Sequence, residues 1–99
     1  MSQVNFGDLG NAIQNKLAVM KNFKIGKTGQ TVDERFRQEH ESAYANVSEL
    51  GVSHSKEIID ECEKYLIKRF KACTTCDNQQ IGGGDMGKSD TYRIYLVWN

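Results

Sequence analysis

The sequence predicts a small α+β fold in which a short antiparallel sheet of three strands is flanked by helices. Three observations lead to this class. Apolar residues recur at spacings of three and four near the amino end and again in the second half of the chain, which is typical of helices. The segment 92–98 is rich in aromatic and branched residues and predicts a strand. The chain has 99 residues, which is the size of one small domain, residues 1–99.

The first half of the chain predicts a helix, a strand and a second helix. A helical stripe indicates a helix over residues 5–21, and its members are Phe6, Leu9, Ile13, Leu17 and Met20. A short strand ending at Gly26 follows, because Phe23 and Ile25 alternate with Lys24. The sequence T-V-D-E at 31–34 is a capping box, in which Thr31 accepts a hydrogen bond from the amide of Glu34. A helix should therefore run over residues 32–44.

The second half predicts a weak strand, the clearest helix of the chain and a strong final strand. A short strand near Gly51 is indicated by the poorly alternating residues Val47, Leu50 and Val52. A helix over 55–71 follows, with an apolar face made of Ile58, Ile59, Cys62, Tyr65, Leu66 and Phe70. The glycine-containing stretch 72–90 is predicted as a loop. One face of the final strand carries Tyr92, Ile94, Leu96 and Trp98, and the other carries Arg93, Tyr95 and Val97.

The charge balance excludes a generic polyanion-binding surface. The chain carries 13 Lys and Arg residues against 13 Asp and Glu residues, whereas non-specific nucleic-acid binders carry a surplus of positive charge. A nucleic-acid role therefore requires a local site. No apolar run approaches the roughly 18 residues of a membrane span, and three cysteines do not suit a secreted disulfide framework. We expect a cytoplasmic protein with reduced thiols and no membrane association.

Two local motifs have simple structural interpretations. Residues 82–89 fit the phosphate-binding pattern G-x-x-x-x-G-K-S, but that loop requires a following helix, and the sequence after it predicts a strand. A surface loop is therefore the better interpretation. Cys73 and Cys76 form one C-x-x-C pair, whereas a structural zinc ion takes four ligands. Cys62 falls on an apolar helix face and is predicted to lie in the core, so it does not add a third ligand. Zinc binding by the pair stays an alternative to two ordinary thiols.

Four polar residues stand at separated positions in the chain: Arg35, His40, Glu63 and Asn78. Each alone is ordinary for a protein surface. They belong to four short motifs, K-I-G-K-T at 24–28, E-R-F-R-Q-E-H at 34–40, E-K-Y-L-I-K-R-F at 63–70 and D-N at 77–78. In this order and spacing, the series over residues 22–80 resembles the GIY-YIG nuclease superfamily, which implies a fold of that kind.

The resemblance implies hydrolysis of a phosphodiester bond with a single divalent ion, Mg²⁺ or Mn²⁺. Glu63 would be the metal ligand, since a carboxylate suits a hard cation. Arg35 would clamp the scissile phosphate through its planar guanidinium. His40 would activate or position the attacking water or hold phosphate, and Asn78 would orient neighbouring groups of the site.

The chain departs from the family pattern in its tyrosines. The family has a G-I-Y strand, with a tyrosine proposed as general base, just before Y-I-G. Here that stretch predicts a helix, and Lys24 stands where Y-I-G has its tyrosine. We expect the final strand to pair beside residues 23–26 in a permuted arrangement and to supply the missing phenol. Its two candidates, Tyr92 and Tyr95, lie on opposite faces, so only one can enter the site, and Tyr92, near the glycine loop, is preferred.

The function that the resemblance implies is metal-dependent endonucleolytic cleavage of DNA, or else of RNA. Lys24 and Lys27 would neutralise phosphates that flank the scissile bond, which makes binding sensitive to salt. Since no separate DNA-reading module is predicted, a second copy in a homodimer or a protein partner would supply specificity. The alternative is a non-catalytic protein-binding or inhibitory module on a degenerate nuclease scaffold, such as an accessory protein of a phage or mobile element. An unrelated small α+β domain is the third interpretation.

Overall fold

The computed structural model describes residues 4–79 and 86–99. Along the chain, the elements are helix α1 (Phe6–Lys16), strand β1 (Phe23–Thr28), helix α2 (Val32–Glu39), strand β2 (Asn46–Ser53), helix α3 (Lys56–Phe70) and strand β3 (Tyr92–Trp98). A single 3-10 turn over Leu17–Val19 follows α1. The predicted α+β class is confirmed, with its antiparallel three-stranded sheet and its flanking helices.

The last strand in sequence, β3, lies in the middle of the sheet. It pairs antiparallel with β1 on one side and with β2 on the other, so that β1 and β2 form the edges. The expected pairing of the final strand beside β1 is therefore confirmed, with Gly26 opposite Tyr95. In β2 the register shifts between Glu49 and Gly51. This bulge explains why the strand alternates poorly in sequence.

The two faces of the sheet carry different helices. One face packs against α3, which in turn packs against α1. Its core contains Ile13, Phe23, Ile25, Ile59, Leu66, Ile94 and Leu96. The opposite face is covered by α2 and carries a smaller cluster of Val32, Tyr95 and Val97. The two faces predicted for β3 are therefore confirmed, because Tyr92 lies in the first core and Tyr95 in the second.

Two helices are shorter than the sequence predicts. The α-helical part of α1 ends at Lys16, and one 3-10 turn completes it. Helix α2 ends at Glu39 rather than near residue 44. The His40 amide still makes the α-helical bond to the Phe36 carbonyl at 2.9 Å, but the Glu41 amide donates to the same carbonyl, five residues back, also at 2.9 Å, and the α-helical pattern ends there. The chain then turns towards β2.

Helix α3 begins where predicted but buries a slightly different face. Ser55 caps the helix by accepting a hydrogen bond from the amide of Ile58 at 3.3 Å. Ile58 and Tyr65, which belong to the predicted apolar face, are 43% and 38% exposed. Glu63 and Ile67 are buried instead, at 7% and 1% exposed. The buried face is therefore rotated towards Glu63, which makes this carboxylate a buried polar group.

Three local predictions can be compared with the structure. The capping box of α2 is confirmed, since Thr31 Oγ1 accepts from the Glu34 amide at 3.2 Å and donates to its carboxylate at 3.0 Å. Of the glycine pattern 82–89, residues 82–85 lie outside the described residues, and strand β3, not a helix, follows the pattern. Within the described ranges, no helix is long and apolar enough to cross a bilayer.

Candidate functional site

A cleft of about 720 Å³ lies along the free edge of β1, between α2 and α3. Six of the residues predicted for the site line this cleft: Lys24, Lys27, Arg35, His40, Glu63 and Asn78. They come from β1, from α2 and its carboxyl end, from α3, and from the loop that follows α3. The fold therefore brings together side chains that are far apart in sequence.

The two candidate tyrosines lie on opposite sides of the sheet. Tyr95 lines the cleft and is 2% exposed. Tyr92 lies in the core on the other face, where its hydroxyl accepts from the Ser89 amide at 2.9 Å and donates to the Gly87 carbonyl at 3.4 Å. The preference for Tyr92 is therefore corrected, because Tyr95 lines the cleft whereas Tyr92 is not among its lining residues.

Tyr95 and His40 form a hydrogen-bonded pair in the cleft. The Tyr95 hydroxyl lies 2.7 Å from His40 Nε2, and both residues are buried. Burial and the nearby charges of Lys24 and Arg35 lower the pKa of His40 below its ordinary value. Burial also raises the pKa of Tyr95, although the adjacent Arg35 opposes this shift. At neutral pH the pair is therefore an uncharged phenol beside an uncharged imidazole.

Gly26 makes room for the ring of Tyr95. The two residues are opposite each other in the β1–β3 register. A Cβ atom on Gly26 would lie 2.4 Å from Tyr95 Cζ and 2.5 Å from its hydroxyl oxygen. Such contacts are too short for any side chain, so the ring can occupy this position only against a glycine. This close approach is the physical reason for the glycine in K-I-G.

Arg35 lines the cleft with part of its guanidinium unpaired. Its Nη2 pairs with Glu39 Oε2 at 3.0 Å, four residues further along the chain. Its Nε is buried and has no hydrogen-bond partner among the described residues. A buried donor without a partner is costly, and the oxygens of an anionic ligand would satisfy it. A planar guanidinium with an unpaired Nε–H suits phosphate in particular.

Glu63 is a buried carboxylate that lies against a lysine. Its Oε1 is 3.3 Å from Lys27 Nζ, and the same ammonium is 2.7 Å from Asp60 Oδ1. Burial raises the pKa of Glu63, and the charge of Lys27 opposes this shift. Glu63 Oε1 nevertheless accepts no hydrogen bond from the described parts of the chain. The carboxylate therefore has an unused acceptor in the cleft.

Asn78 closes the outer edge of β1. Its side chain accepts from the Ile25 amide at 2.8 Å and donates to the Ile25 carbonyl at 2.9 Å, as a neighbouring strand would. The loop before it is also bonded to the edge, since Phe23 donates to the Thr75 carbonyl at 2.9 Å and accepts from the Asp77 amide at 2.7 Å. Asn78 therefore holds one wall of the cleft in place.

The oxygen donors of the cleft suit a hard divalent cation. Glu63 offers a buried oxygen with no hydrogen bond from the described residues, and Asp60 stands beside it on α3. Mg²⁺ is commonly held by one or two carboxylates, with water and substrate phosphate as the other ligands. Among residues 4–79 and 86–99, no group of three or more His, Cys, Asp or Glu could hold an ion.

Sequence reasoning does not single out two acids of the site, Asp60 and Glu39. Asp60 bonds to Lys27 at 2.7 Å, and Glu39 pairs with Arg35. The available signal was spacing, since Asp60 precedes Glu63 by three residues and Glu39 follows Arg35 by four, which places each pair on one helix face. These acids offset the basic side chains of the cleft, so an anion would be held by positioned groups and not by a general positive field.

Comparisons with protein-family models, with curated proteins and with solved structures found no match for this chain. The site is therefore defined by its own chemistry. One cleft combines a buried carboxylate, a guanidinium with an unpaired nitrogen and a phenol–imidazole pair. Such a combination is typical of sites that carry out acid–base chemistry on an anionic substrate.

Proposed function

We propose that the protein is a divalent-metal-dependent nuclease that hydrolyses phosphodiester bonds in DNA. The observation that supports this function best is the meeting of Glu63 and Arg35 in one cleft. Each has a buried polar atom that no described residue satisfies by a hydrogen bond. A phosphate and its cation would satisfy both atoms at once, since phosphate accepts from guanidinium and a cation binds carboxylate.

Arg35 would hold the scissile phosphate and stabilise the charge that develops on it. Glu39, at 3.0 Å from Arg35, fixes one end of the guanidinium and leaves its Nε for the substrate. Lys24 lines the same cleft and would neutralise an adjacent phosphate. We therefore expect DNA binding to weaken steeply as the salt concentration rises. A second copy or a protein partner would supply sequence specificity.

The attacking water would lose its proton to the pair formed by Tyr95 and His40. With the proton of His40 on Nδ1, so that Nε2 accepts, the 2.7 Å hydrogen bond would allow the phenol to pass its own proton to the imidazole while the phenolic oxygen takes one from water. Burial and nearby positive charge lower the pKa of His40, which keeps the imidazole neutral and able to accept a proton at neutral pH. The hydrogen-bonded pair would therefore offer the proton of the attacking water a path through the cleft.

Glu63 would hold the divalent ion, with Asp60 close by and Asn78 keeping the opposite wall in place. When bound, the ion supplies charge stabilisation for the leaving oxygen and for the phosphate. Glu63 is the candidate ligand because its Oε1 is buried and accepts no hydrogen bond from the described residues.

Nicking of supercoiled plasmid by the full chain tests the proposal. We expect cleavage with Mg²⁺ or Mn²⁺ and none with a chelator. Glu63→Gln removes the charge that binds the ion while it keeps the shape of the side chain. Arg35→Met removes the phosphate contacts and keeps the aliphatic stem. Each variant should lower the nicking rate by at least about 100-fold.

Matched controls come from the same two helices. Glu61→Gln changes an acid on α3 whose side chain is 66% exposed, and Arg37→Met changes an exposed arginine on α2. Both should keep the nicking rate within about threefold, because surface changes away from the cleft have small effects. Failure of the unaltered chain to nick DNA with either ion would refute the nuclease and favour the non-catalytic binding module.

A further inference from the structure

A buried lysine occupies the position of a cation between two carboxylates. Lys27 Nζ lies 2.7 Å from Asp60 Oδ1 and 3.3 Å from Glu63 Oε1. The side chains of Lys27 and Glu63 are 8% and 9% exposed, whereas that of Asp60 is 32% exposed and reaches solvent. Both acids stand on α3 three residues apart, so the helix holds them on one face. Together they form a two-carboxylate pocket that an ammonium already fills.

Lys27 leaves one carboxylate oxygen of this pocket without a hydrogen bond. Glu63 Oε1 is buried, its 3.3 Å contact with Lys27 is an ion pair without a hydrogen bond, and no other described group donates to it. A buried carboxylate oxygen without a donor carries a large desolvation cost. Glu63 lines the cleft, and its Oε1, which pairs with Lys27 but accepts no hydrogen bond from the described residues, points to a further ligand.

We propose that Asp60 and Glu63 together form the binding site of a divalent cation, and that Lys27 occupies this site as an internal competitor until an ion displaces its ammonium. This inference rests on the proposed function, which has the ion bound to Glu63, and it adds a second ligand and a means of regulation. Two acids are sufficient, because Mg²⁺ and similar ions take water and phosphate oxygens as their remaining ligands.

The competition follows from charge. An ammonium and a divalent ion repel each other strongly at this distance and cannot share the pocket. The ammonium of Lys27 is held in the pocket by its hydrogen bond to Asp60 and by its ion pair with Glu63. An incoming ion must therefore break the 2.7 Å bond between Lys27 and Asp60.

Substrate phosphate also regulates cation binding, because it competes with the two carboxylates for Lys27. Lys27 lines the same cleft as Arg35, so a phosphate bound there offers the ammonium a new partner. Movement of Lys27 to the phosphate leaves both carboxylates free for the ion. Cation and DNA therefore bind cooperatively, and the isolated protein binds the cation weakly.

Binding of Mn²⁺ to the full chain, followed by the electron paramagnetic resonance signal of free Mn²⁺, tests this inference without any measurement of activity. Lys27→Met removes the competitor and should tighten Mn²⁺ binding by at least about tenfold. Asp60→Asn, added to Lys27→Met, removes one ligand and should weaken binding by at least about tenfold. Lys68→Met and Glu61→Gln, two exposed positions on α3, should change the affinity by less than about twofold.

The outcomes separate this inference from the proposed function. Unchanged or weaker Mn²⁺ binding by Lys27→Met would overturn the competition, provided that its circular dichroism spectrum matches the unaltered chain. If Lys27→Met does not fold, Lys27→Gln tests the competition in the same way, because it keeps a donor for Asp60 but carries no charge. Binding that survives Asp60→Asn but is abolished by Glu63→Gln would overturn the second ligand and leave the proposed function standing. Equal binding by the unaltered chain and Glu63→Gln would defeat both.

Discussion

The hydrogen bond between Tyr95 and His40 depends on a glycine across the strand pair. Gly26 faces Tyr95 in the sheet, and a side chain at this position would meet the ring at 2.4 Å. The ring therefore lies against bare backbone, and its hydroxyl reaches His40 Nε2 at 2.7 Å. Three residues from three different parts of the chain thus fix the geometry of one buried hydrogen bond between a phenol and an imidazole.

The pH dependence of stability should report the state of His40. Burial and neighbouring positive charge hold the pKa of His40 below its ordinary 6.5 in the folded chain, so the unfolded chain takes up the proton more readily. We therefore expect the free energy of unfolding to fall as the pH drops through about 6.5 towards the folded pKa. Urea unfolding at about pH 7.5 and about pH 5.5 should show this loss in the unaltered chain and a smaller loss in His40→Gln.

Protonation of Glu63 changes the free energy of unfolding in the opposite direction from protonation of His40, and it does not obscure this comparison. Burial raises its pKa, so its protonation favours the folded chain, and that contribution is lost as the pH rises through the folded pKa. Glu63 is present in both proteins, so the difference between them isolates the imidazole. Identical pH profiles for the unaltered chain and His40→Gln would contradict a buried neutral imidazole.

The loop after α3 acts as a partial fourth strand along β1. Backbone bonds join Phe23 to Thr75 and Asp77, and the side chain of Asn78 continues this pattern to both polar groups of Ile25. An edge strand would otherwise leave these groups without protein partners. The loop therefore converts a free strand edge into the wall of a cleft.

Asn78→Ala should destabilise the protein by about 1–3 kcal/mol, because it leaves the amide and carbonyl of Ile25 without their partners. Urea unfolding measures this loss. The matched control is Asn46→Ala, at an exposed asparagine that donates to the Trp98 carbonyl at 3.3 Å, which should cost less than about 0.5 kcal/mol. Equal effects of the two substitutions would argue against Asn78 as the clamp of the β1 edge.

Much of the fold could be predicted because its signals are local. Helical spacing, the capping box at Thr31 and the alternation of β3 each act within a few residues, and the structure contains the corresponding elements. The end of α2 and the bulge near Leu50 could not be predicted in the same way. The first depends on how His40 and Glu41 share one carbonyl, and the second depends on the register that β3 imposes on β2.

The candidate site could be predicted in its members more fully than in its arrangement. Alternation along β3 places Tyr92 and Tyr95 on opposite faces, but it does not say which face the cleft uses. That choice depends on how α2 packs against β2 and β3 and how α3 packs against β1 and β3, which is a property of the whole molecule. For the same reason, the pairing of Lys27 with Asp60 follows from the fold and not from any motif.

The two tyrosines of β3 offer the most direct test of catalysis in this cleft. The measurement is the single-turnover rate at which the full chain cleaves a short labelled DNA duplex in Mg²⁺, with Tyr95→Phe compared with Tyr92→Phe. Each substitution removes one hydroxyl from the same strand, and loss of the Tyr92 hydrogen bonds costs about 1 kcal/mol of stability.

We expect Tyr95→Phe to lower the rate by at least about 100-fold, because the attacking water loses its proton acceptor. Tyr92→Phe should keep the rate within about threefold, since its hydroxyl lies on the opposite face of the sheet. A Tyr95→Phe protein that cleaves as fast as the unaltered chain, or a loss confined to Tyr92→Phe, would contradict a catalytic role for the cleft along β1.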